Sequence, residues 1–206
     1  MKNLSWAPSE KLGLAFILVV ALGLRLYHLG LQPIWCDESY FWQCANHPGW
    51  LATLLHTMAD DVYPPLFFIL LHGLGLFTDS IFLIRLPMAL AGVAAVGVLI
   101  SLLARFTDKR AALFAGALAA VSPVLVYYSQ ELKMYSILAL FLLLLVDETA
   151  RCLEDSKRGW ARVAQWATLA VYTFYLALLV WFCVLGLAWW KSRADPRSAR
   201  SVWKGF

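Results

Sequence analysis

Charge is scarce in this chain. Only 15% of its 206 residues are Asp, Glu, Lys or Arg, against about 25% in an ordinary soluble domain. Hydrophobic residues make up 62%, where about 45–50% is usual, and the mean hydropathy is +0.70. That balance excludes a soluble globular domain and a disordered chain. Alternation of apolar and polar residues is also missing. The apolar residues come in long runs, which excludes a transmembrane barrel. Cysteine is sparse, and Cys36, Cys44, Cys152 and Cys183 have neither CxxC nor zinc-ribbon spacing. The four histidines, His28, His47, His56 and His72, show no H-x-x-x-H ligand spacing. Internal repeats are absent. Ala21-Leu22-Gly23 is a weak cleavage-like triplet, but the apolar run passes through it to Leu31, so a retained span is expected.

What is there reads as one all-α, polytopic transmembrane helix bundle over residues 1–206. Run one is Leu12–Leu31, twenty residues, or about 30 Å of helix and one bilayer core. Run two, Pro64–Thr78, is short and opens on two prolines, so it reads as an interfacial helix. Runs three and four are Leu86–Ala104 and Ala111–Gln130, and run five is Met134–Val146. Run six, Val163–Trp190, is long enough to pose a choice. A hairpin turning near Tyr172–Tyr175 keeps the basic tail, residues 191–206, on the cytoplasmic side. With the N-terminus cytoplasmic, most of the basic residues then face the cytoplasm, as the positive-inside rule asks. Residues 30–81 become a first extracytoplasmic loop, long enough to imply a task. Within it, Leu51, Leu54, Leu55 and Met58 stand at helical spacing and predict an amphipathic interfacial helix.

The outer surface is acidic. Asp37 and Glu38 are flanked by Trp35, Tyr40, Phe41 and Trp42, so headgroup depth is expected. Desolvation and like-charge repulsion would raise a carboxylate pKa there, which suits a general base. The competing reading of Asp37 is a helix N-cap. Asp60 and Asp61 read as either a solvated turn or site acids. Lys133 is the one basic residue placed fully on the outer face. It is open to a phosphate, to Glu131, or to snorkelling. Arg85 is either an interfacial anchor or a phosphate ligand, and Arg25 is most simply a snorkelling anchor. Asp37, His56 and Asp61 are weak candidates for a divalent metal. Cys36 and Cys44 lie about 12 Å apart if helical, too far for a disulfide.

Several segments follow one pattern in order. They are Arg25-Leu26-Tyr27-His28-Leu29-Gly30, Trp35-Cys36-Asp37-Glu38, Asp61-Val62-Tyr63-Pro64-Pro65-Leu66, Arg85-Leu86-Pro87 and Tyr128-Ser129-Gln130-Glu131-Leu132-Lys133-Met134-Tyr135. The set resembles membrane glycosyltransferases of the GT-C fold. It is most similar to the family 39-like group, related to protein O-mannosyltransferases and to the lipid A aminoarabinose transferase. The resemblance spans roughly residues 20–150. It implies inverting transfer of a sugar from a polyprenyl-phosphate donor to an acceptor hydroxyl of a lipid, glycan or protein, on the outer side of the cell membrane. By the same resemblance Asp37 is the base, Glu38 completes its motif and Asp61 is a further site acid. A departing phosphate needs a cation or a metal, which makes Arg85 and Lys133 donor-phosphate candidates. Tyr63, Glu131 and Tyr135 are additional candidates. Tyr63 stands where many relatives carry His, and Lys133 where they often carry Arg. Relatives are expected to be considerably longer, so the chain reads as the N-terminal portion of such a domain. The alternative is a non-catalytic fragment or partner subunit of a split glycosyltransferase.

Overall fold

The structure is a computed structural model that describes residues 6–46, 48–60, 63–154 and 159–194, without the side chains of residues 56, 59, 60, 192 and 194. Among these residues it holds ten α-helices and no strand. They are α1 (Pro8–Leu26), α2 (Cys36–Ala45), α3 (Trp50–Asp60), α4 (Leu66–Gly75), α5 (Ile81–Phe106), α6 (Lys109–Val121), α7 (Pro123–Gln130), α8 (Tyr135–Glu154), α9 (Ala161–Thr173) and α10 (Ala177–Ala194).

Only α5 among the described helices is long and apolar enough by itself to cross a membrane. The α6–α7 pair makes a second candidate, bent by 55°. Pro123 opens α7 and removes the amide that would have continued α6, so run four breaks there. Runs one and five form helices of nearly bilayer length. Each also takes charge into its ends: Glu10, Lys11 and Arg25 in α1, and Asp147, Glu148, Arg151 and Glu154 in α8. Fewer spans therefore pass on length and composition than the runs led us to expect.

Run six divides at Phe174–Leu176, within a residue of the expected turn. Ala188, late in α10, shares a core cluster with Trp160 and Val163 at the start of α9. Only a chain that folds back places those residues together, since a straight helix would separate Val163 and Ala188 by about 37 Å.

A second cluster joins α1, α5 and α6 through Ile17, Ala21, Val96, Ile100 and Ala112. A third lies under one end of the bundle and joins α2 and α4 to α5. Phe41, Phe67, Phe68, Leu71, Ile84 and Met88 form it, with Leu132 and Met134 from the α7–α8 loop. Run two is thus α4, and its Phe67, Phe68, Leu71 and His72 are packed inside the protein instead of lying along an interface. It is α3 that turns apolar residues outward. Leu51, Leu55 and Met58 are exposed, while Thr53 and Thr57 are buried on the other side. Similar outward stripes run along α1 (Leu12, Phe16, Val19) and α6 (Phe114, Leu118, Val121). So much exposed apolar surface fits a lipid environment.

The bundle has two charged ends. Arg85 sits near the start of α5. Arg105 sits near its end and pairs with Asp147 at 2.8 Å. Twenty residues separate the two arginines, about 30 Å of helix, which matches a hydrocarbon core.

Candidate active site

Adjacent residues on a helix point about 100° apart, and this separates the two acids that open α2. Glu38 turns inward and is fully buried, while the Asp37 side chain keeps 57% of its exposure. Trp35 is the N-cap residue, so Asp37 lies inside the first turn and is not the cap. Both carboxylates sit favourably at a helix N-terminus.

Glu38 forms a two-pronged ion pair with Arg85. Nε donates to Oε1 at 3.1 Å and Nη2 to Oε2 at 2.5 Å. The backbone amide of Leu132 donates to Oε1 at 2.6 Å. Arg85 also donates to the carbonyls of Leu29 and Gln32 at 3.1 and 2.9 Å, with a longer contact of 3.4 Å to Pro33. All five guanidinium N–H groups thus face protein acceptors. Arg85 is buried, and it also lines a cavity beside Trp35 and Gln130. One buried pair fastens the α1–α2 connection, α2, α5 and the α7–α8 loop to each other.

The turn after α1 is shaped for this. His28 adopts φ 59°, a left-handed position that ends the helix. Gly30 passes close to α5, where a Cβ would stand 3.0 Å from that of Phe82. Gln130 closes the same turn from α7, donating to the Leu24 and Tyr27 carbonyls at 3.1 and 2.7 Å. Those carbonyls lack partners within their own helix.

The clamp brings Lys133 to Asp37. Nζ donates to Asp37 Oδ2 at 3.1 Å and lies 3.7 Å from Glu131 Oε2. It also sits 4.7 Å from the centre of the Trp35 ring, a cation–π distance. Burial works against the charge of Lys133. The Asp37 hydrogen bond and the Glu131 and Asp37 carboxylates outweigh it, and its pKa lies above the ordinary lysine value. Beside Trp35 and Glu131 a cavity of about 360 Å³ opens, with Glu38, Arg85, Tyr127 and Gln130 also in its walls. Neither Glu131 carboxylate oxygen has a hydrogen-bond partner.

The remaining candidates fall at different places. Tyr63 packs between Phe41 and Phe174, at 5.3 and 6.0 Å between ring centres. Tyr135 meets Tyr128 edge-on at 5.0 Å. Asp61 and the side chains of Asp60 and His56 lie outside the described residues, as does His47. Of the metal candidates, only Asp37 has a described side chain, and it faces Lys133. Groups of three or more metal-binding side chains are absent among the described residues. His72 donates through Nδ1 to the Ala45 carbonyl at 2.8 Å, tying α4 to α2. Cys36 and Cys44 are both free, one exposed and one buried. Arg25 corrects the sequence reading most sharply. It does not snorkel: it is buried to 1% exposure and points into the bundle. Residue type and spacing also passed over Trp35 as a cation partner, Gln130 as a cap and the Leu132 amide. None carries a sequence signal of its own.

Among the described residues, an all-helical bundle with exposed apolar stripes and a carboxylate–ammonium pair at one end fits a membrane protein. Residues 61–204 match the dolichyl-phosphate-mannose-protein mannosyltransferase family, and the chain belongs to that family. Its members are membrane-bound glycosyltransferases that use dolichyl- or polyprenyl-phosphate sugars. The match takes in Arg85 and Lys133 and begins beyond Asp37 and Glu38. No curated protein and no solved structure matches the chain.

Proposed function

We propose that this protein transfers a sugar from a polyprenyl-phosphate donor to an acceptor hydroxyl on the extracytoplasmic side of the cell membrane, with inversion and with Asp37 as general base. The observation that carries this reading is the half-exposed Asp37 carboxylate, held 3.1 Å from the Lys133 ammonium, which itself lies beside Trp35 and Glu131, two walls of a cavity. The acceptor O–H gives its proton to Asp37 as its oxygen bonds to the anomeric carbon. The bond from that carbon to the phosphate oxygen breaks, and the phosphate leaves with the electron pair. Lys133 supplies positive charge where the phosphate's negative charge grows. A donor phosphate competes with Asp37 for Lys133, so donor binding frees the base it needs. Glu38 and Arg85 are positioning residues that hold α2 and the α7–α8 loop in register.

The cavity suits a sugar. Trp35 and Tyr127 offer ring faces, and Gln130 and Glu131 offer polar groups for hydroxyls. Orientation follows from charge: Arg105, Lys109 and Arg110 mark the far end as cytoplasmic. The test is transfer of labelled sugar from polyprenyl-phosphate donors in membranes containing the parent or Asp37→Asn. Loss of a parent activity in Asp37→Asn is the expected result. Undiminished transfer would remove Asp37 as the base.

A further inference from the structure

Arg25 is a charge that the transfer chemistry does not use. It lies in the last turn of α1 and is 1% exposed. Its Nε donates to Ser129 Oγ at 3.2 Å, and Nη1 donates to the carbonyls of Ala21 and Ala120, both at 3.1 Å. Among the described residues no carboxylate pairs with it. A buried cation without an anion is costly and calls for a reason.

Two helix ends supply the negative side. The C-terminal end of a helix carries roughly half a negative charge, and α1 and α6 both end beside Arg25. Ala120 falls in the last turn of α6, where carbonyls have no amide partner within their own helix. That helix stops because run four bends by 55° ahead of Pro123. Arg25 takes the Ala120 carbonyl on one side of the bend and Ser129 of α7 on the other. It therefore grips both limbs of the broken run. Gln130 of α7 returns the contact, donating to the Leu24 and Tyr27 carbonyls at the end of α1. Gly92 of α5 leaves the room, since a Cβ there would collide with Ser129 Oγ and stand 2.8 Å from Arg25 Nε. Ser136, in the first turn of α8, donates to Ser129 Oγ at 3.1 Å. The stretch that carries Lys133 thus runs between two anchors, Ser129 and Ser136, that meet each other beside Arg25.

We infer that Arg25 is a positioning residue for Lys133: it locks the bend of run four, and with it both ends of the loop that holds the Lys133 ammonium against Asp37. Arg25 touches no reacting atom and acts through Ser129. That the loop so held is catalytic rests on the glycosyl-transfer reading; the latch itself does not.

The experiment is amine acylation of the purified full chain in detergent at about pH 8, read lysine by lysine by peptide mass spectrometry. Lys133 reacts when its pairing with Asp37 and Glu131 opens. Lys109, paired with Glu10 at the other end of the bundle, is the internal reference. The parent, Arg25→Gln, Arg25→Lys and Ser129→Ala are compared. The expected result is a rise of about fivefold or more in the Lys133-to-Lys109 rate ratio for Arg25→Gln, and a smaller rise for Ser129→Ala, with helical content unchanged. Arg25→Lys keeps a cation between the two helix ends, so its ratio should stay within about twofold of the parent's. Ser129→Ala removes one bond and no charge, and it reads the latch even where Arg25→Gln fails to fold. An unchanged ratio in Ser129→Ala, Lys109 rising in step with Lys133, or Arg25→Lys behaving as Arg25→Gln does would overturn the proposal. A raised ratio in the variants of a parent that transfers no sugar would uphold the latch and remove the transferase reading. A transferring parent whose variants keep the parent ratio would do the reverse.

Discussion

Asp37 and Glu38 are neighbours in sequence and opposites in exposure. Loss of a general base typically lowers rate by about 10²–10⁴-fold, so Asp37→Asn is expected to drop labelled-sugar transfer into that range with folding unchanged. Glu38→Gln should act on stability instead. Breaking a buried ion pair at one partner costs about 3–5 kcal/mol, visible as a lower thermal midpoint in detergent. Pairing Glu38→Gln with Arg85→Met should recover part of that loss, because no bare charge then remains buried. Recovery of nothing would contradict the clamp. Lys133 has a pKa above the ordinary lysine value. Its contribution through Asp37 is therefore complete below about pH 10.4 and lost only as pH rises through the raised value. Lys133→Met should weaken donor binding, read as a raised apparent KM for the polyprenyl-phosphate sugar.

At the scale of elements, the α5–α7 contact depends on one glycine. Gly92→Leu would drive a side chain into Ser129 and Arg25. Overpacking of this kind costs about 1–3 kcal/mol, so a lower thermal midpoint is expected, whereas Gly23→Leu, with open space around it, should leave the midpoint near that of the parent. The bend between α6 and α7 belongs to the same level. It turns Ser129 and Gln130 towards α1, where they reach Arg25 and the last carbonyls of that helix.

For the whole molecule, the proposed orientation is one that cysteine labelling can read. Cys36 is free and exposed at the end that carries Asp37. A membrane-impermeant maleimide should label Cys36 from outside intact cells, and Cys36→Ser should abolish that signal. Labelling of Cys36 only after permeabilisation would invert the topology. Cys183 is also exposed, but α10 carries it on an apolar surface beside Leu179, Phe182 and Leu187, so the reagent should not reach it in the membrane.

Hydropathy by itself determined that this chain is helical and apolar and where its runs lie, and the placement of basic residues favoured a turn of run six near Tyr172–Tyr175. Those follow from composition and from the distribution of charge along the chain. Motif order pointed to the family, which residues 61–204 bear out. Tertiary structure decided the rest. It buried Glu38 against Arg85, forty-seven residues away in sequence, and packed α4 into the core. It also drew Arg25 inward from the edge where its position near a helix end suggested it would lie. Each outcome depends on which helix stands opposite a side chain. A sequence records the charge of a residue, but only the assembled bundle sets the partner that charge meets and the solvent it loses.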